Sequence, residues 1–141
     1  VCRTAEALGI SGVIAEGGCD IYSPKAQRAA MGSLLRLKVF RCENLTETLA
    51  YLGENKMKLY ATTPDETAEK ITDCDMNGGV VSVIGNEANG VSETVKNLAT
   101  HTVKIPMSCS IESLNAGVSL AITIYTLTEG KGKSLISNKY N

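Results

Sequence analysis

The chain reads as an α/β protein: a mostly parallel sheet covered on both faces by helices. Three observations predict this. Short apolar runs recur at 12–16, 38–42, 58–62, 80–84 and 102–105, segments of helical composition separate them, and glycine, proline or serine marks most junctions. Strands separated by helical segments need crossover connections, which place them parallel. In such a sheet, ligands bind beyond the carboxyl ends of the strands.

Residues 2–8 (CRTAEAL) have helical composition and stop at Gly9, a residue suited to the left-handed position after a helix. GVIAE at 12–16 is a short strand closed by Gly17 and Gly18. Ser23-Pro24 supplies an N-cap followed by proline at the first helical position, which opens a helix through about Leu35 bearing Lys25 and Arg28, with Arg36 just beyond. KVFRC at 38–42 alternates like a strand, and LTETLAYLGEN at 45–55 places Leu45, Leu49 and Leu52 at helical spacing. KLYAT at 58–62 is the next strand. Pro64-Asp65-Glu66 then opens a short acidic helix that ends near Asp73. The strand at 80–84, a polar turn, a helix from about Ser92 to Leu98, the strand at 102–105 and a long apolar helix from about Ser113 to Leu127 complete the series.

A chain of 141 residues is expected to form one domain with a core that needs neither disulfide nor metal. Fourteen basic against fifteen acidic residues give a net charge of −1, so no overall basic field attracts nucleic acid. An RNA partner would need a local patch or another domain. The five cysteines are odd in number, and their shortest spacing, Cys2 to Cys19, excludes a C-x-x-C motif. This predicts reduced thiols, packed as small buried hydrophobes, in a cytoplasmic protein. No apolar run reaches the roughly eighteen residues of a membrane helix. The chain starts at Val1 without an initiator methionine, which predicts that it belongs to something larger. The glycine-rich, basic tail at 130–141 is expected to be loosely ordered.

The stretch with most chemistry runs from Gly85 to Asn115. G-N-E-A-N-G-V-S at 85–92 follows a strand directly, and Gly85 and Gly90 bracket a turn carrying Glu87. Glycine there permits positive φ and close backbone approach to a ligand. The turn is neither a G-x-G-x-x-G dinucleotide loop nor a P-loop. A carboxylate inside it disfavours a polyphosphate and favours a cationic cofactor such as S-adenosylmethionine. A second strand ends at Pro106, and Ser113 opens the long helix, so two loops leave two strand ends together.

G-N-E-A-N-G-V-S (85–92), V-K-I-P-M (103–107) and S-L-N (113–115), followed by AGVSLAITIYTL, resemble motifs two and three of the SpoU-type RNA ribose methyltransferases. Arg3-Thr4-Ala5 before Gly9 and the strand at 12–16 resembles the end of motif one. The resemblance implies a SPOUT-class catalytic domain over 1–129, with a deep C-terminal trefoil knot and S-adenosylmethionine bound in its loops. It further implies a homodimer whose active site is completed across the interface, and methyl transfer to a ribose 2′-hydroxyl of rRNA or tRNA.

Carried over residue by residue, the resemblance gives Arg3, Glu87, Ser113 and Asn115 catalytic roles. Gly85, Asn86, Glu87, Gly90, Ile105, Pro106, Met107, Ser113, Leu114 and Asn115 become the cofactor site, and Arg3 and Arg28 the RNA contacts. No metal is implied. Two departures stand out: Ala30 occupies a position where serine is common, and the family's first strand and the start of motif one would precede Val1.

Plainer readings stand beside these. Arg3 is otherwise a surface charge, Glu87 a solvated turn residue, Asn86 and Asn89 turn formers, and Ser113 an N-cap. His101 matches no motif position and is read as structural. Two rival functions stay open: a non-catalytic RNA- or partner-binding domain of the same fold, and a generic nucleotide-binding α/β domain.

Overall fold

The computed structural model describes residues 1–75, 77–86, 89–108 and 114–129, the side chains of 128 and 129 excepted. Its chain divides into two units, Val1–Leu45 and Thr46–Gly132. The tail at 130–141 and the site residues Glu87 and Ser113 lie outside the described residues.

In the first unit, α1 (Cys2–Ala7), β1 (Val13–Glu16), α2 (Pro24–Ala30), α3 (Ser33–Arg36) and β2 (Val39–Cys42) follow in order. β1 and β2 pair in parallel with Val13 opposite Val39. Ser23 caps α2 by accepting the Ala26 amide at 3.3 Å, and Pro24 occupies the first turn, as the sequence predicts. The expected single helix to Leu35 is instead two. Met31 (φ 50) and Gly32 (φ 81) both adopt left-handed backbone, which ends α2 and starts α3 in a new direction. Arg36 reaches back to Glu6 in a two-pronged ion pair, its second prong 2.9 Å long, and so ties α3 to α1.

The second unit is built on β3 (Lys58–Thr62), with α4 (Leu45–Glu54) leading into it. Around it lie β4 (Glu69–Lys70), a 3-10 turn at Ile71–Asp73, β5 (Val80–Val83), α5 (Glu93–Leu98), β6 (His101–Lys104) and α6 (Ala116–Glu129). The sheet order is β4-β6-β3-β5, parallel throughout, so β3 is flanked on both sides. Such a strand is expected to be continuously apolar, and Leu59, Tyr60 and Ala61 are all buried. Alternation along β3 sends Tyr60 to one face, where it packs with Ile71, Val103 and Leu127 of α6. Leu59 points to the other face, towards Gly53 of α4. Leu49 on α4 retains only 2% exposure, a burial that contributes about 1.5–3 kcal/mol.

Three further expectations need correction. The acidic segment after Pro64 forms no α-helix, only the 3-10 turn at Ile71–Asp73 near its end. It first makes a single turn in which the Ala68 amide donates to the Asp65 carbonyl at 3.1 Å, and then Glu69–Lys70 joins β6 as an edge strand. Pairing with an available sheet edge overrides a weak helical preference. The long apolar helix expected from about residue 113 begins at Ala116: Leu114 and Asn115 are not helical, and Asn115 caps it from outside. The described cysteines are not buried: Cys19 is exposed, and Cys2, Cys42 and Cys74 are partly exposed. They fall at a helix start, a turn and element ends, where cover is incomplete. Burial, then the charges of Glu69 and Asp73, pushes the Cys74 thiol above its ordinary pKa.

Candidate cofactor cleft

A cleft of about 660 Å³ opens over the carboxyl ends of β3, β5 and β6, and every described residue lining it belongs to the second unit. That volume lies within the range of small-molecule sites. Gly85, Asn86 and Gly90 form one wall, Ile105, Met107 and Leu114 another, and 62–66 a third between them. The two strand ends expected to lie together are separated by β3, whose loop fills the gap. Sequence reasoning missed that third wall. The signal was present: Thr62-Thr63-Pro64-Asp65-Glu66 leaves an apolar strand at the end where parallel sheets bind ligands.

The glycine turn is held by its own bonds. Gly90 donates its amide to the Asn86 carbonyl at 2.9 Å, and the Asn89 amide donates to Asn86 Oδ1 at 2.7 Å. Asn86 is therefore the organiser of the turn, an asparagine satisfying local backbone. Gly90 needs its freedom because φ is +63. Gly85 needs to be glycine for another reason: a Cβ would collide with the Gly90 carbonyl and the Val91 amide. The close approach read from the sequence is thus chain against chain at this position. Ser92 then caps α5 by accepting the Val95 amide at 3.4 Å, which fixes where the turn ends.

On the other wall, Ile105 is half-buried and Met107 exposed, presenting an apolar surface. Pro106 and Asn115 sit in the same segments without lining the cleft. Asn115 Oδ1 accepts the amides of Gly117 at 2.9 Å and Val118 at 3.3 Å, so its observed task is capping α6. Of the charged groups on the walls, Lys96 is engaged by Glu93 at 2.8 Å, and Glu66 by Lys104 at 3.5 Å. The Glu93 contact holds the Lys96 ammonium above its ordinary pKa, with Asp65 adding to the effect.

Arg3 and Arg28 lie in the first unit, on α1 and α2, and both are exposed. Neither makes an ion pair among the described residues. His101 stacks on Tyr60 with ring centroids 5.2 Å apart, and its Nδ1 lies 3.1 Å from Glu69. It starts β6 at the amino end of the sheet, away from the cleft loops, in a structural setting. Among the described residues no group of His, Cys, Asp and Glu side chains could hold a metal, and no helix is long and apolar enough to cross a membrane.

Residues 1–125 match the model of the SpoU rRNA Methylase family. The chain belongs to the SpoU family. Among SpoU relatives, it is 34% identical over 125 residues to the 23S rRNA (guanosine-2′-O-)-methyltransferase RlmB of Acinetobacter baylyi, covering 87% of this chain and 50% of that protein. It is 33% identical to a 23S rRNA (uridine(2479)-2′-O)-methyltransferase of Streptomyces viridochromogenes, covering 89% of this chain and 45% of the relative. The crystal structure of the SpoU methyltransferase AviRb from Streptomyces viridochromogenes, in complex with AdoMet, superposes with a TM-score of 0.83 at 31% identity. That superposition covers 93% of this chain and 54% of AviRb. The chain thus spans about half the length of the curated SpoU relatives it matches.

Proposed function

We propose that the protein containing this chain transfers a methyl group from S-adenosylmethionine to a ribose 2′-hydroxyl of rRNA or tRNA. The observation that carries this reading is the match of residues 1–125 to the SpoU family, a span that includes every described wall of the cleft. We take residues 1–129 as the methyltransferase domain of a cytoplasmic enzyme.

The cleft fits the cofactor. Its volume suits a nucleoside-sized ligand, and an apolar wall at Ile105, Met107 and Leu114 suits a purine. When bound, S-adenosylmethionine supplies a methyl group made electrophilic by a sulfonium. Gly85, Asn86 and Gly90 offer backbone at close range, Ile105, Met107 and Leu114 take the adenine edge with Pro106 shaping that segment from outside the cleft, and Glu87 and Ser113 complete the site, with Asn115, outside the lining, contributing by the motif resemblance. Holding the hydroxyl and the methyl donor at near-attack distance, with water excluded, supplies much of the rate.

Arg3 takes the RNA side. A guanidinium stays protonated, so it serves as a phosphate grip and a stabiliser of the developing alkoxide rather than as a base. Its exposure, and the absence of an ion pair to it among the described residues, support this role. Arg28, exposed on α2, adds a second RNA contact. Homodimerisation places Arg3 of one copy at the cofactor site of the other. It is supported by α6, where the large hydrophobic side chains of Val118 and Tyr125 remain 47% and 55% exposed. The C-terminal trefoil knot rests on the motif resemblance at 85–92, 103–107 and 113–115.

The test is methyl transfer to RNA with the modified nucleotide mapped. Arg3→Lys should keep part of the activity and RNA binding, and Arg3→Ala should lose both. Full activity in the alanine variant would overturn the assignment of Arg3, and failure of the whole protein to bind S-adenosylhomocysteine would overturn the reading itself.

A further inference from the structure

Three charged side chains stand on the described walls of the cleft: Asp65, Glu66 and Lys96. Glu66 is engaged by Lys104 and Lys96 by Glu93. The Asp65 carboxylate alone has neither hydrogen bond nor ion pair among the described residues. The bonds that shape its turn involve only its main chain, whose amide donates to Thr63 Oγ1 at 3.3 Å and whose carbonyl accepts the Ala68 amide at 3.1 Å. The side chain is therefore not needed to form the loop. Its field reaches into the cleft, where it helps hold the Lys96 ammonium protonated.

Position narrows what such a carboxylate would meet. The strand order β6-β3-β5 puts the apolar purine wall on one side of the β3 loop and the glycine turn on the other. A nucleoside with its base against Ile105 and Met107, and its remaining length towards Gly85, lays its sugar across the loop that carries Asp65. An ionised carboxylate accepts hydrogen bonds only, and its two oxygens match the two donors of a cis-diol.

Building on the functional reading above, we propose that Asp65 is a cofactor-binding residue whose carboxylate accepts hydrogen bonds from the 2′- and 3′-hydroxyls of the cofactor ribose. Asp65 makes the site selective for a ribonucleoside and adverse to polyphosphates, which its charge repels.

Calorimetry on the full chain tests this with two ligands, S-adenosylhomocysteine and 5′-methylthioadenosine, which share the ribose and differ in the amino-acid end. Asp65→Asn should weaken both about tenfold or more, as expected for losing hydrogen bonds to a charged acceptor, with an unchanged melting curve. Asp65→Ser should behave likewise, so the result does not hang on one variant. Wild-type affinity for both ligands in these variants would overturn the proposal. So would a loss confined to S-adenosylhomocysteine, which would put the carboxylate at the amino-acid end. Failure of the unaltered chain to bind either ligand would instead strike the functional reading on which the proposal rests.

Discussion

Asn115 accepts the Gly117 amide on its side-chain oxygen, and a Cβ added at Gly117 would lie 3.2 Å from that same oxygen. The cap and the glycine fit one another closely, and together they set where α6 begins. Asn115→Ala should lower stability by about 1 kcal/mol, while Asn115→Asp, which keeps an acceptor, should remain near wild type. Denaturant melts of the two variants check this. A ligand role would show separately, as a loss of S-adenosylhomocysteine affinity in the aspartate variant.

Gly85→Ala should be costly for a reason independent of any ligand. The new methyl would meet the backbone of Gly90 and Val91, which cannot swing aside as a flexible side chain would. Overpacking of this kind typically costs about 1–3 kcal/mol. Thermal unfolding should register that loss without ligand present, and cofactor affinity should fall with the displaced turn.

Thr123 is fully buried on α6, and its hydroxyl has no partner among the described residues. Thr62 and Ser82 carry the same defect. Replacing a buried, unpartnered hydroxyl by a methyl of the same shape removes a desolvation penalty. Thr123→Val should therefore stabilise the protein by about 1 kcal/mol, seen as a raised melting temperature.

Asp75 is held by the Lys58 ammonium, and the Asn77 amide also donates to it, at 3.0 Å. These bonds, the Lys58 contact first, lower its pKa in the fold. The folded protein then binds the proton less readily than the unfolded chain. The stabilisation is present above the ordinary carboxylate range and is lost as pH falls through the folded pKa. Asp75→Asn should flatten the acid limb of a stability-against-pH curve and leave its slope at neutral pH unchanged. An identical acid limb in the variant would refute the linkage.

Much of this fold was legible because local and global signals agreed. KLYAT has strand composition and length, and it became the buried central strand; Ser23-Pro24 and Ser92 named their helix starts. The failures came where tertiary pairing decided. Nothing local to Glu69 and Lys70 reveals that a neighbouring strand edge awaits them, so the acidic segment read as a helix. Met31 in left-handed backbone is equally invisible, since methionine rarely adopts it. Within the site, the glycine turn and the apolar wall were visible as motifs. The 62–66 wall was not, because its place between them depends on strand order, which runs β6-β3-β5 rather than in sequence.

The steric role of Gly85 bears on how lost activity would be recognised in relatives. A residue required so that two stretches of backbone can touch is kept by selection for folding, whether or not anything binds beside them. A SpoU-family member that had abandoned methyl transfer would still retain a glycine at this position, and a glycine motif would go on advertising an activity no longer there. Groups the fold can do without, such as the side chains of Asp65 and Arg3, carry no such obligation and would drift first. With the roles proposed above, their presence is the better witness of a working site.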